Sequence, residues 1–390
     1  MLRRSRSTLG FDMTTKTITL ALQGGGSHGA LTWGVLDRLL EDERIVIAEI
    51  SGTSAGAMNA AVLADGWQRG GRAGAREALE AFWRAVSQAA MFSPMQRSPL
   101  DRLLGNYSLD RSPGYLFAEA MSRIFSPYEL NPFGLNPLRD LLDDIVDFER
   151  VNCCRDIVVH VTATHVRTGQ PRIFSRGEVT CDAVMASACL PQLYPAVVID
   201  GEEYWDGGFS ANPAIMPLVR SQATADIVIV QINPVIRPET PRSARDIINR
   251  VNEISFNTAL IKELRAIALL KELVRESGLE AGVIANTFLH LIHTDEEVRD
   301  LSASSKLNAE WAYLRLLFER GRNRAEQWLQ ANFADLGERS TFDLEDFFAP
   351  CFASAAPGCR DELAPTQTPP CEPCAAEAAE DAASVVPDTA

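Results

Sequence analysis

Apolar runs of strand length alternate with runs of helical period through the first 235 residues, and this alternation limits the fold more than any other feature of the sequence. TITLALQ (17–23) and IVIAEIS (45–51) are expected strands, and GALTWGVLDRLLED (29–42) and SAGAMNAAVLADG (54–66) expected helices. Further on, DIVVHVTATHV (156–166) and DIVIVQINP (226–234) are almost continuously apolar, the pattern of strands covered by helices on both faces. Alternation of this kind builds an α/β domain around a mainly parallel sheet. Residues 243–278 place Ile247, Val251, Ile254, Ile261, Leu264 and Ile267 at helical spacing, which predicts a long amphipathic helix laid on the sheet by that face. Residues 307–333 read as a similar closing helix, and FLHLIH (288–293) as a late strand.

At 390 residues the chain can bury a large core. It has no run of about 18 apolar residues, so no membrane-spanning helix is expected. The net charge of -15 argues against a nucleic-acid partner, because such binders neutralise phosphates with Lys and Arg. The basic start, MLRRSRSTLGFDM, lacks the apolar stretch of a secretory signal. Residues 1–15 are therefore expected to be a flexible lead-in, and the cytoplasm the compartment. There the adjacent Cys153 and Cys154 and the single Cys181 and Cys189 are expected to be reduced.

Two stretches depart from the globular pattern. From Cys351 to Ala390, seven acids oppose Arg360 alone, and Pro and Ala displace large apolar residues. Such a composition cannot offset its ordering entropy, so 346–390 reads as a disordered acidic tail. Its Cys371 and Cys374 form C-x-x-C without the second pair or nearby His that a zinc site needs, and no metal is expected. Residues 91–137 concentrate Phe92, Tyr107, Tyr115, Phe117, Phe125, Tyr128 and Phe133 among six of the chain's 21 prolines. That segment is either a lid over an acyl pocket or an irregular, well-packed insertion.

The chemistry gathers at glycines. In GTSAG (52–56), Ser54 stands where a strand gives way to a helix. G-x-S-x-G forms a strained turn that needs small neighbours and holds the serine hydroxyl out of the sheet. The unpaired amides of the following helix point at the same place. The bland alternative is a plain turn. LQGGGSHGA (22–30) also follows a strand and opens a helix, and Gly24, Gly25 and Gly26 can turn successive amides into one space as an anion nest. Taken instead as G-x-G-x-x-G, through Gly24, Gly26 and Gly29 with Glu49 on a ribose, the loop would cradle a dinucleotide. That leaves Ser54 without a task, whereas an oxyanion hole gives both motifs one. A serine nucleophile also needs a base. The candidates are His28, His160, His165, His290, His293, and Asp206 in YWDGGFSANPA, at a strand end before Gly207 and Gly208.

In this order the three motifs resemble the patatin-like phospholipase family, over roughly residues 16–235. The resemblance implies a three-layer α/β/α fold and an oxyanion hole from Gly24, Gly25 and Gly26. It further implies a nucleophile, Ser54, between Gly52 and Gly56, and a Ser-Asp dyad completed by Asp206 without histidine or cofactor. MASACLPQLYPAV (185–197) is similar to the family's A-S-x-A-x-P segment. The expected acyl hydrolase domain runs from 16 to 345, with a helical part from 236, and the expected substrate is a lipid or acyl ester met in transient contact with a lipid surface. Many members carry Arg or Lys two residues after the glycines, where a phosphate group could be contacted. This chain has His28, whose imidazole is neutral over part of the physiological range, so the ester is left open between a phospholipid, another lipid and an intracellular polyester. Two other readings stay open: a Ser-Asp-His triad using His290 or His293, and a non-enzymatic nucleotide binder on the same fold. Oligomeric state has no signature in the sequence.

Overall fold

A computed structural model describes residues 15–237, 239–277, 286–298 and 301–352. The expected lead-in and most of the expected acidic tail, with its C-x-x-C, lie outside them. The chain divides into two compact units, 1–344 and 345–390.

Eight strands form one sheet: β1 (Lys16–Leu22), β2 (Ile45–Thr53), β3 (Val158–His165), β4 (Pro171–Phe174), β5 (Val197–Ile199), β6 (Glu202–Asp206), β7 (Asp226–Gln231) and β8 (Phe288–His293). The helices are α1 (Gly29–Glu41), α2 (Ala55–Ala90), α3 (Pro99–Leu103), α4 (Pro113–Ser122), α5 (Pro127–Leu130), α6 (Pro137–Ile145), α7 (Phe148–Cys153), α8 (Cys181–Ser187), α9 (Met216–Ser221), α10 (Ala244–Ser277), α11 (Asp295–Val298) and α12 (Trp311–Asn332). A further helix, Leu344–Phe352, leads into the second unit.

Strands β3-β2-β1-β7-β8 run parallel in that order. At one side β4 and β6 pair antiparallel with β3, and β5 with β6. This is the mainly parallel α/β sheet that the alternation implies. Its two-sided burial is clearest in β7. Val228 and Val230 join a cluster with Leu20, Leu36, Leu63 and Leu317. Ile227 and Ile229, equally buried, face the other side, where α9 and α10 bury Leu218, Leu260, Leu264 and Ile267. Among the described residues no helix is long and apolar enough to cross a membrane.

The long helix α10 forms as expected, but the face it buries is not the expected one. Leu264 and Ile267 point inward, whereas Ile247, Val251 and Ile254 are exposed. Over those turns the inward residues are Glu253 and Asn257. Glu253 receives Arg237 and Arg250, and Asn257 bonds Gln23 and the Pro234 carbonyl. An inward face with polar work to do is invisible to hydrophobic periodicity.

Residues 91–137 are also more regular than the sequence suggests. Helices α3, α4, α5 and α6 each begin with proline, after Ser98, Ser112, Ser126 and Asn136. Proline is preorganised for the first helical position, where its missing N–H costs nothing, and the residue before it caps the helix. Ser98, Ser112 and Asn136 accept backbone N–H groups at 3.1, 3.3 and 3.2 Å. Many of the segment's large apolar side chains, Phe92, Phe117, Ile124 and Phe133 among them, are exposed rather than packed.

Candidate active site

One edge of β3 brings two strand ends together. β2 pairs with β3 from Val158 to Thr162, and β6 pairs with it from Ala163 to His165. β4 pairs with residues 161–164, overlapping both, so it must occupy the opposite edge. β2 and β6 therefore share one edge, end to end. β2 ends at Thr53, opposite Thr162, and the antiparallel β6 ends at Asp206, opposite Ala163. The next residue after Thr53 is Ser54, so the serine follows directly from the strand end that meets Asp206, and its hydroxyl favours the charged form of that carboxylate.

Ser54 has φ 54° and ψ -121°, a conformation that L residues adopt only when their surroundings impose it. The flanking glycines make room for it. A Cβ on Gly52 would lie 2.5 Å from the Gly56 carbonyl oxygen, and one on Gly56 would lie 2.3 Å from that of Leu22. The Ser54 N–H donates to Ser187 Oγ at 2.8 Å, and its carbonyl accepts the first helical bond of α2, from Met58. Ser187 closes α8 and is the serine of the MASACLPQLYPAV segment; its partner is visible only in the structure.

Asp206 is buried. Its Oδ1 accepts the Gly208 N–H at 2.7 Å, its own N–H donates to the Cys189 carbonyl at 2.8 Å, and its carbonyl accepts Thr164 Oγ1 at 2.8 Å. Burial pushes its pKa up to about 7, against the opposing pull of the Gly208 amide and the Ser54 hydroxyl. Gly207 and Gly208 are crowded. A Cβ on the first would meet the Thr162 carbonyl oxygen at 2.1 Å, and one on the second the Phe256 ring of α10 at 2.2 Å.

The loop Gly24–Gly26 leads from β1 into a 3-10 turn, Gly26–His28, and so into α1. A Cβ on Gly24 would stand 2.7 Å from Ser54 Cβ, so the loop lies directly against the serine. The Gly24 N–H donates to Asn212 Oδ1 at 2.7 Å, and its carbonyl accepts Asn233 Nδ2 at 2.6 Å. Among the described residues, the N–H groups of Gly25 and Gly26 have no acceptor. Gly29 serves packing, since a Cβ there would meet Ala55 Cβ at 2.7 Å.

His28 turns inward. Its Nε2 lies 2.9 Å from Ser305 Oγ, which itself donates to the Ser302 carbonyl at 2.6 Å. Nε2 therefore carries the proton, and the buried Nδ1 has no partner. Burial, then the charges of Lys306 and Arg237, hold the His28 pKa well below the usual range, so the ring is neutral and ties the glycine loop to the turn Ala303–Leu307. The other histidines stand elsewhere. His290 is buried between Asp226 and Thr341, each at 2.9 Å, and His293 lies against Arg324. Both belong to β8, three strand positions from β2, about 14 Å away. His160 contacts Ser175 at 2.9 Å and Glu49 at 3.4 Å, and His165 contacts Glu202 at 2.8 Å.

A serine on a strained turn, a buried carboxylate near neutrality and two amides without acceptors form a constellation suited to acyl transfer. Sequence reasoning missed the residues that hold it: Ser187, Asn212 and Asn233. The signals available were that Asn212 and Asn233 each precede a proline within a recognised stretch, and that Ser187 is the serine of the segment similar to A-S-x-A-x-P.

The chain belongs to the patatin-like phospholipase family, a family of lipid hydrolases: the family model matches residues 20–219, which contain all three motifs. No curated protein matches the chain. Among solved structures it is similar to VipD from Legionella pneumophila, at 16% identity over 88% of this chain and 74% of that one, with a TM-score of 0.35. It is also similar to the ExoU–SpcU complex of the Pseudomonas aeruginosa type III secretion system, at 15% identity over 82% of this chain and 52% of that one, TM-score 0.33. The chain thus spans about half the length of the latter.

Proposed function

We propose that residues 16–345 form an acyl hydrolase domain that cleaves ester bonds of lipids through a Ser54–Asp206 dyad, with the oxyanion hole supplied by the glycine loop. The carrying observation is that the strand ends leading to Ser54 and to the buried Asp206 carboxylate meet on one edge of β3, with burial pushing the pKa of that carboxylate up to about 7. A base poised there takes a proton effectively near neutral pH. Asp206 accepts the Ser54 proton as Oγ attacks the ester carbonyl, and the displaced π pair becomes an oxyanion bound by the N–H groups of Gly25 and Gly26. Collapse breaks the ester C–O bond, the leaving alkoxide takes the proton from Asp206, and the acyl group stays on Ser54. Water then attacks, giving its proton to Asp206, and the acid departs as Ser54 is regenerated. In comparable sites each oxyanion donor contributes about 2.7–4 kcal/mol.

The separate partners of His290 and His293 speak against a Ser-Asp-His triad. The nucleotide reading is weakened because Gly29 is spent on packing and Glu49 on His160. His28, neutral and inward, supplies no charge to a phosphate, which favours a substrate range reaching past phospholipids to lysophospholipids, neutral lipids or hydroxyalkanoate polyesters. The exposed Phe92, Phe117 and Phe133 would touch a lipid surface transiently. A cytoplasmic setting accords with the unbridged Cys153, Cys154, Cys181 and Cys189. The test is hydrolysis of p-nitrophenyl esters from acetate to palmitate, alongside phosphatidylcholine and a neutral glyceride. Ser54→Ala should fall to background with an unchanged melting temperature; wild-type-like rates in that variant would overturn the assignment.

A further inference from the structure

Both backbone groups of Gly24 are held by asparagine side chains, Asn212 on the N–H and Asn233 on the carbonyl. In a trans peptide the Gly24 C=O and the Gly25 N–H point in opposite directions, so whatever fixes the first aims the second. An asparagine amide can present either its oxygen or its nitrogen. Here Lys306 Nζ donates to Asn233 Oδ1 at 2.7 Å. An ammonium has only donors, so it must face the oxygen, and this leaves Nδ2 for the Gly24 carbonyl. The Asn233 backbone is fixed as well, by Gln23 Oε1 at 2.7 Å and Gln231 Nε2 at 3.0 Å.

Lys306 is anchored in its turn. It belongs to Ala303–Leu307, where Ser305 holds His28 and the Lys306 carbonyl oxygen would stand 2.5 Å from a Cβ on Gly26. Both ends of the glycine loop are thus tied to one turn some 280 residues downstream. Charged neighbours are Glu253, itself bonded to Arg237 and Arg250, and Arg237; the neutral His28 completes the surroundings. Among the described residues no carboxylate forms an ion pair with the Lys306 ammonium, one of whose three N–H groups is given to the asparagine.

We propose that Lys306 is a positioning residue for ester hydrolysis: through Asn233 it locks the Gly24–Gly25 peptide so that the Gly25 N–H faces the reacting carbonyl. This role rests on the oxyanion function proposed above for that amide. Burial lowers the Lys306 pKa to about 8, reinforced by Arg237 and opposed by Glu253. Loss of the proton gives the nitrogen a lone pair and relaxes the demand that it face the amide oxygen, so activity should decline as pH rises through that value.

The experiment measures kcat and KM from pH 6 to 9.5 for uncharged p-nitrophenyl butyrate and for a lysophospholipid, with wild type, Lys306→Met, Lys306→Arg and the Ser54→Ala control. Lys306→Met should lower kcat about ten- to a hundredfold on both substrates, less than deletion of a donor would, with KM within about twofold and the alkaline decline gone. Lys306→Arg should restore most of kcat and carry the decline beyond the range. A loss confined to the phosphate-bearing substrate would make Lys306 a headgroup ligand and overturn the proposal, as would an unchanged kcat or a change in KM alone. Should Lys306→Met unfold, the alkaline decline of wild type and its displacement in Lys306→Arg carry the test, and an unmoved decline in Lys306→Arg overturns the proposal. If wild type matches Ser54→Ala on every ester, the dyad has failed, and the positioning role is judged separately by nitrogen-15 NMR. The Asn233 side-chain protons should exchange faster in Lys306→Met than in wild type, and equal exchange contradicts the lock.

Discussion

The loops at the ends of β1, β2 and β6 and the stretch from Met91 to Ile145 are both assembled from short pieces, yet they are held in opposite ways. In the first, Gly24, Ser54 and Asp206 each have backbone groups bonded to residues distant in sequence, and Gly24, Gly26, Gly52, Gly56, Gly207 and Gly208 abut backbone or ring atoms. In the second, four helices are started by local Ser-Pro or Asn-Pro caps, and large apolar side chains turn outward. Reacting atoms need a geometry fixed in advance. A surface that only has to meet another can rely on local capping and leave its apolar groups free.

Glycine substitutions should expose that contrast most sharply. Gly24→Ala drives a Cβ against Ser54 and the Thr53 carbonyl, and kcat on soluble esters should drop at least about a hundredfold. Gly134, with φ 62° and nothing within 4 Å of its added Cβ, should accept alanine for about 1–2 kcal/mol of backbone strain and no loss of kcat. Equal kinetic losses in the two variants would erase the distinction.

Next comes the stability cost of the buried carboxylate. The Asp206 pKa is about 7 in the folded chain against 3.8 as its ordinary value, so between these pH values the folded state keeps a proton that the unfolded state has released. Stability therefore declines as pH rises through the window, by up to about 4 kcal/mol. Asp206→Asn removes this dependence, and its melting temperature should exceed that of wild type by more at pH 8 than at pH 5. A constant gap would mean that the carboxylate is not strained by burial.

Ser187→Ala leaves the Ser54 N–H without its acceptor. About 1–3 kcal/mol of stability should go with it, together with roughly a tenfold loss of kcat, read by chemical denaturation and ester kinetics. The smallest effect is expected on the outward face: Phe117→Ser with Phe133→Ser should change stability by no more than about 0.5 kcal/mol per site. It should slow hydrolysis of vesicle lipid while sparing p-nitrophenyl butyrate; equal rates on vesicles would remove the lipid-contact role.

The sequence made legible whatever is periodic or locally strained. Alternating apolar runs marked β1, β2, β3 and β7, and three glycine motifs marked the loops around Ser54, Gly24 and Asp206. Supporting contacts were hidden because they join distant segments. Nothing local to Ser187, Asn233 or Lys306 reveals a partner 133, 209 or 73 residues away. The polar inward face of α10 defeated a hydrophobic count, and the Ser-Pro and Asn-Pro caps of α3 to α6 were readable but masked by a composition that suggested irregular chain.

The most direct measurement is the pH dependence of kcat/KM on a soluble ester for wild type, Asp206→Asn and His290→Ala/His293→Ala, each with its melting curve. A Ser-Asp dyad predicts an acid limb near pH 7, set by the Asp206 pKa. The histidine variant should retain that limb and its rate within about twofold, while Asp206→Asn loses at least about a hundredfold. A folded histidine variant without activity, beside an active Asp206→Asn, would contradict the account.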